Sequence, residues 1–258
     1  MTVALITGAS SGIGRELLDR FAADRIDLVI TARDEAALKK AADDLTAKYG
    51  IAVTVIPADL SRPGEAHRLF AEMEKRGIVV EYLVNNAGFG NYGPFHEADA
   101  KKMDDMVQVN VASLVTLTRL FLPGMVARNS GRILQVASVA AFQPGPLMAV
   151  YYATKAFVLS FSEAVAEELT GTGVTMTCLC PGPVRTQFAT RSNFNHSRVF
   201  QSHSADASDV AEYGYRAFMR GEILAVHGFN NRLLTMIGHF IPRRLIVKLV
   251  RWMQEKRD

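Results

Sequence analysis

The chain has 258 residues, of which 49% are hydrophobic and 21% charged, and these proportions are typical of a globular protein with a sizeable core. Its net charge of +3 is concentrated in residues 231–258, which hold seven Lys and Arg against two Asp and Glu, so no nucleic-acid partner is indicated. Because the N-terminus has no basic segment followed by a long apolar one, and no run of 18 apolar residues occurs, we expect a cytoplasmic protein that does not span a membrane.

The chain alternates between two apolar patterns. Seven short aliphatic or β-branched runs start at residues 3, 27, 52, 81, 131, 173 and 222, and longer segments with apolar residues at intervals of three and four lie between them. Such alternation predicts parallel strands joined by crossover helices. We therefore expect an α/β, single-domain, doubly wound Rossmann fold with a seven-stranded, mostly parallel sheet and helices on both faces.

Two segments fall outside this alternation. Residues 183–208 show no clear periodicity and are expected to form a long loop, which in a compact domain often proves to be an active-site lid. Residues 231–258 are predicted to be a basic amphipathic helical extension of a main domain that spans residues 1–230.

A glycine-rich turn follows the first predicted strand. The stretch "TGASSGIG" places Gly8, Gly12 and Gly14 at the start of a helix, where backbone N–H groups and the positive helix end can hold a pyrophosphate. The spacing differs from both the G-x-G-x-x-G fingerprint and the P-loop. Residues 8–12 also satisfy the G-x-S-x-G pattern of hydrolases, but no later acid and histidine stand out in the order that this alternative needs.

Arg33 lies at the end of the second predicted strand, in "VITARD". At this position an acidic residue would bind a ribose 2′-hydroxyl, whereas an arginine accommodates a 2′-phosphate. The predicted cofactor is therefore NADP(H). The alternative is that Arg33 is a solvated surface charge.

The stretch "YYATK" at 151–155 places two tyrosines four and three residues before Lys155 on a predicted helix. Both spacings can bring a tyrosine and the lysine to one helical face, so helical geometry alone does not choose between Tyr151 and Tyr152.

Five ordered elements resemble the short-chain dehydrogenase/reductase family: "TGASSGIG" at 7–14, "NNAG" at 85–88, Asn110, Ser138 and "YYATK" at 151–155. The resemblance covers about residues 1–230, which would be the catalytic domain. The family has twelve residues between its serine and its tyrosine, and this spacing selects Tyr151. For Tyr152 we expect packing or pocket lining.

The resemblance implies an NADP(H)-dependent oxidoreductase that interconverts a ketone or aldehyde and an alcohol. Its implied catalytic residues are Asn110, Ser138, Tyr151 and Lys155. Its implied cofactor contacts are Gly8, Ser10, Ser11, Gly12, Ile13, Gly14, Arg33, Asp59, Leu60, Asn86, Ala87, Gly88, Tyr151, Lys155, Pro181, Gly182, Val184 and Thr186. No metal site is predicted, because Cys178 and Cys180 have no partners at ligand spacing and are expected to be buried thiols on one face of a strand.

The implied chemistry makes a demand on Tyr151, because a free tyrosine with a pKa of about 10 is a weak proton donor near neutral pH. An ammonium roughly 4 Å away, at an effective dielectric constant near 20, would favour the phenolate by about 4 kcal/mol. We therefore expect Lys155 to lower the pKa of Tyr151. Ser138 would polarise the substrate carbonyl, and the resemblance implies that Lys155 holds the ribose and that Asn110 supports a water relay to it.

The predicted pocket is mostly apolar. Phe89, Tyr92 and Phe95, together with residues 142–148, would flank the reaction site, unless they only anchor their loops. The expected small-molecule substrate is therefore an apolar ketone or a 3-oxoacyl thioester.

The predicted helix 148–170 also bears Phe157, Leu159, Phe161 and Val165. The resemblance implies that this helix pairs with its copy in a homodimer or homotetramer, and internal core packing is the alternative.

The C-terminal segment carries an apolar face opposite a basic one. The apolar face comprises Leu245, Ile246, Leu249, Val250, Trp252 and Met253, and Arg244, Lys248, Arg251 and Glu255 lie opposite. Such a helix can dock over the substrate cleft, lie on an anionic membrane surface, or fray. An alternative function follows: an NADP(H)-binding regulatory or membrane-surface interaction protein with the same fold.

Overall fold

The computed structural model describes residues 2–194, 197–202, 204–238 and 241–255. Seven strands form one sheet in the order β3-β2-β1-β4-β5-β6-β9, and every neighbouring pair in it is parallel. These strands are β1 Val3–Thr7, β2 Asp27–Thr31, β3 Val53–Val55, β4 Tyr82–Asn85, β5 Gly131–Val136, β6 Val174–Cys180 and β9 Leu224–Val226. The predicted seven-stranded Rossmann fold is confirmed.

Helices cover both faces of the sheet, and successive side chains of each strand point to opposite faces. In β1, Ala4 and Ile6 join the core cluster under one helical layer, while Leu5 joins the cluster under the other. The strands therefore carry continuous apolar runs rather than an alternation of apolar and polar residues.

Helices cover the two faces. They are α1 Gly12–Ala23, α2 Glu35–Tyr49, α3 Glu65–Lys75, α4 Ala100–Val107, α5 Leu114–Ala127, α6 Ala149–Glu168, α7 Gln187–Arg191, α8 Arg198–Ser202, α9 Ala207–Arg220, α10 Phe229–Gly238 and α11 Arg243–Gln254. Buried apolar residues of α1, α2 and α9 belong to one cluster, and most of those of α3 and α5 belong to a second. Val158 and Leu159 of α6 belong to a third cluster, together with Leu114 of α5.

One helical span among the described residues, Ala100–Ala127, is long and apolar enough to cross a membrane, with a mean hydropathy of 1.5 in its most apolar window. It comprises α4, a π-helical turn at Gln108–Ser113, and α5. Leu117, Phe121 and Met125 of α5 are buried in the cluster that also holds α3 and the sheet. Its apolar residues therefore cover the sheet.

The strand order reverses between β1 and β4, since β2 and β3 extend the sheet on one side of β1 and β4 begins the other. In parallel α/β sheets, ligands bind in the crevice at the carboxyl ends of the strands beside such a reversal. The loops that begin after β1, β4, β5 and β6 carry Gly8, Asn86, Ser138 and Pro181, respectively, to this edge.

The segment 183–208 is more ordered than predicted. It contains β7 Val184–Arg185, α7, α8 and β8 Ala205–Asp206, and β7 pairs with β8 in a separate parallel sheet. Elements of two or five residues are too short to produce a detectable apolar period, so the sequence predicts a loop there. Asn195, His196 and His203 lie outside the described residues.

The described part of the C-terminal segment contains α10 and α11 and ends at residue 255. α10 packs beside the 3₁₀ turn Val139–Phe142, and α11 packs beside α8. The predicted apolar face of α11 is divided. Ile246 and Val250 are buried, whereas Leu245, Leu249 and Trp252 are each more than half exposed.

Candidate active site

A cavity of about 770 Å³ opens along the carboxyl edge of the sheet. Most residues that the sequence predicts for the cofactor and the reaction lie in its wall. They are Gly8, Ser10, Ser11, Gly12, Ile13, Arg33, Asp59, Leu60, Asn86, Ala87, Gly88, Ser138, Tyr151, Lys155, Pro181, Gly182, Val184 and Thr186. Gly14 and Asn110 lie behind the wall, where each holds other parts of the site in position.

The turn after β1 has room only for glycine at its key positions. Gly8 has a φ of +66°, and a Cβ there would lie 2.8 Å from the Asn86 side chain. A Cβ on Gly14 would lie 2.4 Å from the Gly8 carbonyl oxygen, so Gly14 allows α1 to pack directly against the turn. Ser11, at the N-cap of α1, makes no side-chain cap hydrogen bond, which leaves N–H groups of the first turn available to a ligand.

Thr7 joins the ends of β1 and β4. Its hydroxyl donates to the Val84 carbonyl at 3.2 Å and accepts from the backbone N–H groups of Asn86 and Ala87, each at 3.0 Å. The Asn86 amide donates to the Thr7 carbonyl at 2.8 Å. The sequence alone indicates no role for Thr7, although it is the first residue of "TGASSGIG".

Two hydroxyls meet at the middle of the cavity. Ser138 follows β5 and is 8% exposed; its hydroxyl donates to the Pro181 carbonyl at 3.3 Å and accepts from the Ala140 N–H at 3.1 Å. Tyr151, on α6, lines the same cavity, and its hydroxyl lies close enough to the Ser138 side chain for Ser138 to influence its pKa. An electronegative atom beside both hydroxyls would receive a hydrogen bond from one and a proton from the other.

Lys155 lies one helical turn after Tyr151. Its ammonium donates to the Val136 carbonyl at 2.7 Å and lies 5.8 Å from the centre of the Tyr151 ring. Burial raises the pKa of Tyr151 to about 12, and the hydrogen bond with Ser138 opposes that rise. Burial also lowers the pKa of Lys155 to about 8.

These directions contradict the expectation that Lys155 lowers the pKa of Tyr151. Both side chains leave water for apolar surroundings, and the loss of hydration disfavours the charged form of each group. The ammonium is directed to the Val136 carbonyl, so desolvation prevails at the tyrosine.

Asn110 is 1% exposed and lies on the π-helical turn between α4 and α5. Its amide nitrogen donates to the Phe89 carbonyl at 3.0 Å and the Thr154 hydroxyl at 3.1 Å, and its oxygen accepts from the Phe89 N–H at 3.1 Å. A Cβ on Gly88 would lie 3.1 Å from the Asn110 oxygen and 3.4 Å from Lys155 Nζ. Asn110 therefore ties the loop after β4 to α6, beside the lysine.

The end of the cavity beside β2 carries opposite charges. Arg33 is exposed in the cavity wall. Burial raises the pKa of Asp59. Hydrogen bonds from Ser61 and the charges of Arg33 and Arg62 lower this pKa by a larger amount, so the net shift is downward. With the glycine turn and the open start of α1, this end fits the phosphates and the adenosine part of a dinucleotide.

The opposite end of the cavity is lined with apolar side chains. They are Phe89, Met148, Phe188, Ala189, Phe194, Phe200, Leu234, Val250 and Met253. Of the three aromatic residues predicted near the site, Phe89 lines the cavity, Phe95 is 67% exposed, and Tyr92 anchors α11 by donating to the Gln254 carbonyl at 2.8 Å. The prediction that Phe95 flanks the site is wrong, because its side chain lies on a 3₁₀ turn that faces outward.

Several helices that line this apolar end were not predicted from the sequence to do so. α7, α8, α10 and α11 all contribute side chains to it. No motif marks these helices, and only the apolar pattern of α11 offered a signal. Tyr152, as expected, lines the cavity, with its ring against Gly145 and its centre 6.1 Å from the centre of Tyr151.

The two cysteines lie on β6, close to Lys155. Cys178 and Cys180 are buried free thiols with their sulfurs 3.9 Å apart, so they share one face of the strand. Hydrogen bonding with Cys178 and burial raise the pKa of the Cys180 thiol well above its usual value, which keeps it protonated and unreactive.

Proteins of known sequence and structure are similar to this chain. The chain is 38% identical, over 184 residues, to a very-long-chain 3-oxoacyl-CoA reductase of Pyrenophora tritici-repentis, in an alignment that covers 69% of this chain and 53% of that relative. The chain thus spans about half the length of that curated relative.

Solved structures match over nearly the whole chain. A short-chain dehydrogenase from Sphingobium yanoikuyae in complex with NADPH superposes with a TM-score of 0.84 at 29% identity, covering 99% of this chain and 98% of the other. A short-chain dehydrogenase/reductase from Burkholderia phymatum in complex with NAD superposes with a TM-score of 0.82 at 27% identity, covering 100% of this chain and 98% of the other.

The family model described as short chain dehydrogenase matches residues 2–196, which hold the glycine turn, both hydroxyls and the lysine. Three quarters of the chain therefore follow the family pattern, and the remainder carries the outer walls of the cavity. The chain belongs to the short-chain dehydrogenase family.

Proposed function

We propose that the protein is an NADP(H)-dependent oxidoreductase that interconverts a ketone or aldehyde and its alcohol by hydride transfer. The observation that carries this proposal is that Ser138, Tyr151 and Lys155 line one cavity, where the Ser138 side chain acts on the Tyr151 hydroxyl. A relative bound to NADPH supports a nicotinamide cofactor, and Arg33 in the cavity wall supports the phosphorylated form.

A bound nicotinamide would exchange hydride with the carbonyl carbon. For carbonyl reduction, Tyr151 needs to be protonated, and its pKa of about 12 keeps it so at neutral pH. The tyrosine hydroxyl donates its proton to the carbonyl oxygen while the Ser138 hydroxyl hydrogen-bonds the same oxygen. Lys155, in the same wall, would hold the ribose of the cofactor, and Asn110 holds the neighbouring loop in place.

The proposed substrate is an apolar ketone or a 3-oxoacyl thioester. The apolar end of the cavity supports this class, since aromatic and aliphatic side chains from α7, α8 and α11 surround the position beyond the two hydroxyls. The name of the fungal relative, a 3-oxoacyl-CoA reductase, supports the thioester.

The proposal is tested by NADPH oxidation over a panel of aliphatic, aromatic, steroidal and 3-oxoacyl-thioester ketones. We expect Tyr151→Phe to lower kcat by roughly 10²- to 10⁴-fold, the usual contribution of a positioned proton donor. Tyr152→Phe is expected to lose far less, because the Ser138 side chain lies beside Tyr151 and not beside Tyr152. Tight NADPH binding without turnover of any ketone would favour the regulatory alternative.

We also propose that the protein forms a homodimer or homotetramer through α6. Phe157 on this helix is 42% exposed and stacks on Phe161, with ring centres 5.9 Å apart. Leu159 is buried and Val165 packs against the core, so only part of the predicted contact face is available to a partner.

A second proposal concerns the outer side of α11. Leu245, Leu249 and Trp252 are exposed there, and Arg244 and Lys248 are exposed on the same helix. Apolar and basic side chains together favour contact with an anionic lipid surface. We therefore propose a cytoplasmic enzyme that makes peripheral contact with membranes through α11.

A further inference from the structure

Gln254 is a buried glutamine at the apolar end of the cavity. It is 1% exposed, and it lines the cavity beside Val250 and Met253. Among the residues that the structure describes, neither its amide nitrogen nor its amide oxygen has a hydrogen-bond partner. A buried primary amide without partners costs free energy, so its presence at a cavity wall indicates a ligand.

The position of Gln254 is held by its backbone. It is the last residue of α11, and its carbonyl accepts from the Tyr92 hydroxyl at 2.8 Å. The next carbonyl, that of Glu255, accepts from the Arg198 N–H at 3.2 Å. Contacts with the loop after β4 and with α8 thus hold the end of α11 against the cavity while leaving the Gln254 side chain without a partner.

Tyr152 is the polar neighbour of this amide. Burial raises the pKa of Tyr152, the neighbouring Tyr151 adds to the rise, and the Gln254 side chain opposes it, so the Tyr152 hydroxyl and the amide lie near each other. Their contact lacks the geometry of a hydrogen bond, since both amide atoms remain unsatisfied. Met148, Phe188, Val250 and Met253 add apolar side chains to the same cavity.

The two polar groups lie at a short distance from the reacting hydroxyls. The ring centres of Tyr151 and Tyr152 are 6.1 Å apart, and the Ser138 side chain lies beside the Tyr151 hydroxyl. A substrate whose reacting carbonyl lies at Ser138 and Tyr151 can therefore extend a second polar group to Tyr152 and Gln254. The tyrosine hydroxyl and the amide NH₂ are both donors, which matches a carbonyl oxygen.

We propose that Gln254 and Tyr152 form a subsite that hydrogen-bonds a second carbonyl oxygen of the substrate, the thioester oxygen of a 3-oxoacyl compound. This inference rests on the proposed carbonyl reduction and assigns its substrate class. Gln254 and Tyr152 would favour ketones that carry a second carbonyl carbon two positions from the reacting one. The apolar wall of the cavity would bind the acyl chain.

The test compares two substrates that differ in one group: a 3-oxoacyl thioester, and the matching ketone in which a CH₂ replaces the thioester carbonyl. The wild type is expected to reduce the thioester with the higher kcat/KM. Gln254→Met, which keeps the length of the side chain, is expected to lower the thioester-to-ketone ratio about tenfold, the value of one neutral hydrogen bond. Gln201→Met makes the same change at an exposed glutamine of α8 and is the control.

Denaturant unfolding of Gln254→Met distinguishes this role from a structural one. Removing an unsatisfied buried amide is expected to leave the unfolding midpoint equal to or above that of the wild type. An unchanged thioester-to-ketone ratio would overturn the subsite and leave the reductase proposal intact. Equal losses on both substrates together with a lower unfolding midpoint would also overturn it, since they indicate a packing role. Failure of the wild type to reduce either compound, with NADPH still bound, would overturn the reductase proposal and the subsite with it.

Discussion

Lys155 is 5% exposed, and the folded protein must bury its charge at neutral pH. Its pKa is about 8, against 10.5 for a lysine in the unfolded chain. Below pH 8 both states are protonated and the full cost of burying the charge is present. Between pH 8 and 10.5 the unfolded chain binds more protons, so the free energy of unfolding rises with pH.

Lys155→Met removes the pH dependence of the free energy of unfolding that comes from this buried ammonium. We expect the variant to gain stability relative to the wild type at pH 7, by an amount on the order of 3 kcal/mol for the shift in pKa, less the lost hydrogen bond to Val136. The difference is expected to shrink by pH 9.5. Urea denaturation of the cofactor-free proteins at both pH values measures it, and a difference independent of pH would show that Lys155 is not buried as an ammonium.

Arg33 is the residue on which the choice of cofactor depends. It is exposed in the cavity wall at the end of β2, and Arg33→Asp replaces a partner of a 2′-phosphate with a partner of a 2′-hydroxyl. We expect the ratio of the Kd values for NADPH and NADH to shift towards NADH by about 10- to 100-fold, the value of one charge-assisted hydrogen bond. Fluorescence titration with both cofactors measures this ratio.

Arg62→Asp is the control for this change. Arg62 also interacts with Asp59, at 3.5 Å, but lies outside the cavity wall. If both variants shifted the ratio equally, general electrostatics would explain the effect, and if neither did, the 2′-phosphate assignment would be wrong.

For single residues, the sequence predicts which side chains lie together in the candidate active site. Ser138, Tyr151 and Lys155 lie far apart in the chain or on successive helical turns, yet their spacing within the family motif was enough to place them together. The pKa of Tyr151 could not be predicted in the same way, because it depends on burial by side chains of α7, whose position no motif specifies.

Among the elements, long periodic ones were predictable and short irregular ones were not. All seven main strands lie within the predicted runs. The five central strands bury both faces and are mostly apolar, and the edge strands β3 and β9 are partly exposed but keep the same aliphatic or β-branched composition. The π-helical turn that carries Asn110, QVNVAS, continues the helix between α4 and α5 and contains no Gly or Pro, so no local signal marks it. The functional part of the molecule thus contains most of what sequence reasoning missed.

The turn between β1 and α1 gives a test of one element. Gly14→Ala would place a methyl group 2.3 Å from the Asn86 amide and 2.4 Å from the Gly8 carbonyl oxygen. We expect a loss of about 1–3 kcal/mol in the free energy of unfolding, the usual cost of overpacking, and weaker cofactor binding because the turn must open. Urea denaturation and cofactor titration measure the two effects.

Gly124→Ala, in the middle of α5, is the matched control. A Cβ there meets only the end of the Arg128 side chain, which can move, so the change is expected to be neutral or slightly stabilising. Equal stability of the two variants would mean that α1 does not pack on the turn as closely as the structure indicates.

For the whole molecule, the C-terminal helices link the cavity to the protein surface. Val250, Met253 and Gln254 face the cavity, while Leu245, Leu249 and Trp252 on the same helix are exposed. The sequence predicts an apolar face but cannot say how much of it the fold covers, because its coverage depends on α8 and α10. An apolar substrate that leaves a lipid surface would enter the cavity beside these helices.

The membrane proposal therefore makes a prediction about the exposed face alone. Changing Leu245, Leu249 and Trp252 together to Gln is expected to abolish sedimentation with phosphatidylserine-containing vesicles and to spare the unfolding midpoint, since these side chains are already exposed. Binding of the wild type is expected to weaken with added salt and to be absent with phosphatidylcholine alone, because Arg244 and Lys248 contribute by attraction to anionic lipid.

Changing Val79, Phe95 and Val107 to Gln removes the same number of exposed apolar side chains elsewhere and is expected to leave vesicle binding unchanged. If the first variant instead bound vesicles as the wild type does but changed its sedimentation as an oligomer, the face would be a contact with a second copy, and the lipid proposal would be wrong.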